Sequence, residues 1–222
     1  MATSGIDNRR HRSFSARAMH FPSSFADIPG ITLYDPLAEL LGAPVDGLIE
    51  YRFADAVKLA GHCCPTVAGA WLMTTKALRA LYGSATPVRG QITVALGETE
   101  DEGVAGVIAS IATLLTGAAG IGGFKGLGGR QVRRGLLRYA APGVAGLRFT
   151  RLDTGLTVNA NFWPKSKFSD PRLGQLLPAV IAGTASVDET ALFRRLWQAR
   201  IMDLLTRGAA DPDVVSIEVV PQ

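Results

Sequence analysis

The chain has only two cysteines in 222 residues, Cys63 and Cys64, and they are adjacent, so there is no disulfide framework. Neighbouring cysteines bridge only with strain and close no long loop, so a reducing, cytoplasmic setting is expected. Aromatic residues make up 7% of the chain, and no aromatic-rich recognition stretch or nucleic-acid motif accompanies the net charge of +4. Nucleic acid is therefore not an expected partner. Arg9, Arg10, Arg12 and Arg17 are not followed by a contiguous apolar run, which argues against a secretory leader. Residues 103–124 lack charge and could span a bilayer by length, but they are rich in Gly and Ala and poor in large side chains. They read as a buried helix running into a glycine loop, and no membrane span is expected. A GxGxxG after a strand and a GxxxxGK[ST] are both missing, so nothing marks a nucleotide site. There is no internal repeat and no linker after residue 20.

Apolar residues make up 47% of the chain, enough for a substantial core. The expected organisation is a polar, basic, disordered arm over 1–19 and one domain over 20–222. Asp35-Pro36 ahead of Leu37, Leu40 and Leu41 reads as a capped helix start, with Gly42 as its stop. Phe53 to Leu59 is helical in pattern and ends at Gly61, and Pro65 opens a long helix that runs to Gly83. Gln91 to Leu96 alternates as a strand does. Gly135 to Ala140, Leu147 to Arg151 and Leu156 to Phe162 are strand-like and suggest an antiparallel sheet. Asp188 to Arg207 is an amphipathic helix, and Val214 to Val220 an edge strand. The fold class expected is α+β, with helices packed on a mixed or antiparallel sheet.

The chemistry is concentrated in Gly61-His62-Cys63-Cys64-Pro65-Thr66, which holds both cysteines and one of three histidines. Imidazole nitrogen and thiolate sulfur are ligands for zinc. His62 and Cys64 lie two apart, a spacing that lets both reach one ion from a turn, with Cys63 as a third donor or pointing elsewhere. Just ahead of a helix, free N–H groups and the positive dipole end favour thiolate. A buried cysteine beside a capping histidine is the structural alternative. Glu98, in an acidic run that ends at Glu102, is a candidate oxygen donor or general base, with Asp55 and His20 weaker candidates. The bland reading of that run is a solvated loop. Lys125 and Arg130 flank a glycine-rich loop that is suited to an anion or to close packing of strands. Arg133, Arg134 and Arg138 read as a solvent-facing stripe.

The pattern Phe53, seven residues, then Gly61-His62-x-Cys64-Pro65 before a long helix with small residues resembles the signature of the formylmethanofuran dehydrogenase E-subunit family, G-H-x-C-P-G between two helices. Leu115-Thr116-Gly117-Ala118-Ala119-Gly120-Ile121-Gly122 resembles that family's L-T-G-C-T-x-G-K-G segment, with Ala118 in place of the cysteine; Thr66 replaces the glycine after the proline. The resemblance implies an α+β fold, often a homodimer, and a metal site using His62 and Cys64. It implies an accessory or small-ligand-binding protein of redox or one-carbon metabolism, within reach of a larger oxidoreductase complex. Zinc is the expected metal, with Cys63 or Glu98 completing the set and Lys125 placed to orient an anionic group. Two alternatives stand beside this: an enzyme acting on a carbonyl or formyl carbon through a metal or the Cys64 thiolate, and an interaction protein with a degenerate site.

Overall fold

A computed structural model describes residues 21–221, so the basic arm and His20 lie outside the described residues. The first unit is an antiparallel pair, β1 (Ile31–Tyr34) with β2 (Leu48–Tyr51), connected through α1 (Pro36–Leu41). Asp35 accepts from the amides of Leu37 and Ala38 at 2.9 and 3.3 Å, and Gly42 closes α1 with φ of 76°. These are the cap and stop that Asp35-Pro36 and Gly42 encode.

Then follow α2 (Phe53–Ala60), α3 (Pro65–Tyr82), β3 (Ile92–Leu96) and α4 (Ala105–Thr116). β4 (Leu137–Arg138), β5 (Leu147–Arg151) and β6 (Thr157–Phe162) come next, before α5 (Arg172–Ala182), α6 (Val187–Leu205) and β7 (Val215–Val220). The main sheet has the order β4-β3-β5-β6-β7, parallel only between β3 and β4. The fold is thus α+β with a mixed sheet. The strand expected over 135–140 shrinks to the two residues of β4, because the chain around it bends to follow the glycine loop. No helix among the described residues is long and apolar enough to cross a membrane. The uncharged stretch forms the 12-residue α4, about 18 Å long at ~1.5 Å per residue.

Helix α3 lies against the sheet at β5, β6 and β7 and against α2, α4 and α6 on its other sides. That position explains why it is buried nearly all round, with Val67, Ala70, Trp71, Ala77 and Leu78 at 1% exposure or less. A file of rings, Phe21, Phe25, Phe53 and Trp71, runs into this core with centroids 5.5, 5.2 and 6.0 Å apart. Helix α5 packs on α6 and buries only Leu173, whereas α6 docks through Ile201, Leu204 and Leu205.

The glycine loop is anchored by a charge cluster that the sequence does not announce. Arg133, expected at the surface with Arg134 and Arg138, is buried instead. Its Nη2 donates to Asp35 Oδ1 at 2.6 Å, and Arg89 Nη1 donates to Asp35 Oδ2 at 2.5 Å. Arg89 also donates from Nε and Nη2 to the carbonyls of Leu115 and Leu114, both at 3.0 Å, and so satisfies the C-terminal end of α4. Arg134 and Arg138 do face solvent.

Candidate functional site

The residues from Gly61 to Cys64 form the bend between α2 and α3. Gly61 ends α2 with φ of 74°, and Cys64 is the residue capping α3, extended at φ of −142°. Pro65 then takes the first helical position, where its missing N–H costs nothing. The Cys64 side chain makes no capping bond, and its carbonyl accepts from Ala68 N at 3.0 Å. His62 is exposed, with Nδ1 at 2.9 Å from the Ala60 carbonyl, so that Nδ1 carries the proton and Nε2 is left free. Cys63 is half-buried, and its carbonyl accepts from Trp197 Nε1 at 2.8 Å, pinning the bend to α6.

Burial pushes the Cys63 thiol up to about 12, and the neighbouring Cys64 adds to the rise. For Cys63 this runs against the expectation that a position ahead of a helix favours thiolate, because Cys63 lies outside the cap and packs against apolar neighbours that keep water from it. Asp55 is already used within its own helix, accepting from Arg52 N at 2.9 Å and Lys58 Nζ at 3.0 Å.

The expected residues divide between two hollows. His62 lines a recess of about 260 Å³ with Leu59, Ala60, Gly106, Val107, Ser110 and Ile111. Glu98 lines a larger cleft, about 370 Å³, that includes Pro65 and Thr66 but neither His62 nor the cysteines. Val104 and Ile108 border the second hollow, while Gly106, Val107, Ser110 and Ile111 border the first, so α4 and its leading residue stand between them. Lys125 is exposed on the glycine loop and is absent from the lining of both.

Among the described residues, no three His, Cys, Asp or Glu side chains gather closely enough to hold one metal ion. A three-donor zinc site is therefore not assembled from the described residues.

The cleft that Glu98 lines is, at about 370 Å³, the roomier of the two. Its floor and rim come from α3 (Pro65 and Thr66 at its start, Met73 near its middle), from Val104 just ahead of α4 and Ile108 within it, and from the end of β6 with the residues that follow. Asn161, Phe162, Trp163 and Pro164, from that last segment, are the residues sequence reasoning passed over. The available signal was the pair Trp163-Pro164 directly after a strand.

Two close approaches set its shape. At Gly69 of α3, an added Cβ would fall 2.2 Å from Cδ1 of Phe162, so the missing side chain is what seats that ring. At Gly97, an added Cβ would meet the Val144 carbonyl oxygen at 2.0 Å, which fixes where the chain leaves β3 and delivers Glu98. Glu98 is half-buried and, among the described residues, has no hydrogen-bond or ion-pair partner for its carboxylate. Trp163 is 47% exposed, with its amide bonded to the Val214 carbonyl at 2.8 Å.

No protein-family model and no curated protein matches this chain.

Proposed function

We propose that the chain is a small-molecule-binding protein whose site is the cleft at the start of α3. The observation that carries this reading is a hollow of about 370 Å³ lined by apolar and aromatic groups with a few polar ones among them. Ligand sites run from roughly 300 to 1,000 Å³ and have this composition. Glu98 and Asn161 supply orientation, Phe162 and Trp163 supply area, and the bend at Cys63 and Cys64 holds the α3 end that forms one wall.

The test is a small-fragment screen read by amide and indole NMR. Fragments that shift the signals of Asn161 and Trp163 together are expected, and Val104→Trp, which fills the mouth from an exposed position, is expected to abolish those shifts. Hits that ignore Val104→Trp would place binding elsewhere.

A second reading rests on a separate observation, the bond from His62 Nδ1 to the Ala60 carbonyl. Metal-binding histidines are typically held in this way, with the opposite nitrogen directed outward. The resemblance to the formylmethanofuran dehydrogenase family supports the same residues. His62 and Cys64 would hold a zinc ion, with remaining positions filled from outside the described residues; zinc would supply Lewis acidity. Zinc content measured on purified protein, His62→Ala and Cys64→Ser decides it: metal retained by the parent and lost from both variants supports the site, and equal content in all three removes it.

A further inference from the structure

We infer that the cleft selects an organic cation, an ammonium group carried on an apolar, ring-sized body. This rests on the cleft being a ligand site and adds the sign and shape of what it takes. Among the described residues that line the cleft, Glu98 carries the one ionisable group. Among the described residues, no lysine, arginine or histidine contributes to the lining.

A carboxylate partly shielded from water beside an apolar hollow attracts a cation more strongly than one in open solvent. Here Glu98 is half-buried and unpaired among the described residues, whereas Glu100, Asp101 and Glu102 are exposed, with Asp101 accepting from Thr99 Oγ1 at 2.8 Å and Glu102 from Thr99 N at 3.3 Å. The run from Glu100 to Glu102 is thus the solvated loop of the bland reading, and Glu98 is the carboxylate that lines the cleft.

The rest of the lining suits the same ligand. The faces of aromatic rings attract cations, tryptophan most strongly, and Phe162 and Trp163 both border the hollow. Methionine, valine, isoleucine and proline side chains accommodate an apolar body. Asn161 also lines the hollow, and its amide oxygen can accept a second N–H. The start of α3 opposes a cation with about half a positive charge, but a full carboxylate charge outweighs it. An anion, the ligand expected from Lys125, would meet Glu98 without a compensating cation in the lining.

The experiment uses the full chain and three probes of one size: phenethylammonium, phenethyl alcohol and 3-phenylpropionate. Each is titrated while the indole N–H signal of Trp163 is followed by NMR, assigned with Trp163→Phe. Phenethylammonium is expected to bind at least tenfold more tightly than the alcohol and to lose that advantage in Glu98→Gln, with alcohol binding unchanged. If the alcohol or the carboxylate binds as well as the ammonium and shifts Trp163, the charge assignment is overturned while the cleft stands as a site. If none of the three moves the Trp163 signal up to its solubility limit, the cleft reading falls with it. A preference for ammonium that survives in Glu98→Gln also overturns the inference, since the charge would then come from elsewhere.

Discussion

Asp35 and Arg133 are 98 positions apart and meet at 2.6 Å in the interior, where the same carboxylate also receives Arg89. One carboxylate between two guanidinium groups leaves a surplus positive charge, and among the described residues Arg133 Nη1 has no hydrogen-bond partner. Burial accordingly pulls the Arg133 guanidinium below its usual value, against the opposing pull of Asp35. Removing the carboxylate strands two cations, whereas removing Arg133 leaves a balanced pair. Asp35→Asn is therefore expected to cost about 3–5 kcal/mol and Arg133→Met distinctly less. Urea-denaturation midpoints measure the order, and a larger loss for Arg133→Met would show that charge balance does not govern this cluster.

The contact between Gly69 and Phe162 predicts a steric penalty with a specific rescue. Gly69→Ala puts a methyl group into the ring and is expected to lose about 1–3 kcal/mol. Phe162→Leu in the same chain should recover part of that loss. Thermal unfolding of the two single variants and the double variant measures the coupling, and strictly additive losses would mean the two residues do not press on each other.

Cys63 gives a pH dependence with a definite sign. Its thiol ionises near 9.0 in the unfolded chain and at about 12 in the folded one, so the folded state holds its proton longer. That stabilisation is fully present below pH 9.0 and is lost as pH rises towards about 12. Stability is expected to fall over this window in the parent and to fall less steeply in Cys63→Ala. In a Cys64→Ser background, iodoacetamide at about pH 8 should label Cys63 slowly when folded and quickly in urea. Rapid labelling of the folded form would contradict the burial argument.

Trp197 supplies the bond that ties α6 to the bend. Trp197→Phe leaves the Cys63 carbonyl without its donor and is expected to cost about 1 kcal/mol. Hydrogen exchange in the first turn of α3 should quicken in this variant; unchanged exchange would mean that α6 does not brace the bend.

Local signals were legible in the sequence, and distant ones were not. Gly61, Gly83 and Gly117 close α2, α3 and α4 where their positions suggest, and Asp35 and Pro65 open α1 and α3. Helix α6 and strand β7 fall within two residues of their expected bounds. Each of these depends on neighbours a few residues away. Helix α5 escaped notice because Pro178 sits inside it and Leu173 is its one buried residue. β1 and β2 are joined through a helix, so no turn residues advertise their pairing. Arg133 reads as surface because its partner lies far off along the chain. The candidate site divides in the same way: the bend from His62 to Cys64 is visible as a motif, but Glu98 gains meaning only from Asn161 to Trp163, delivered by another strand.

The placement of α4 has one more consequence. A single helix is the party wall of two rooms, with His62 in one and Glu98 in the other. An occupant that displaces this wall alters the space left for a tenant next door, and thermodynamic reciprocity makes the influence equal in both directions.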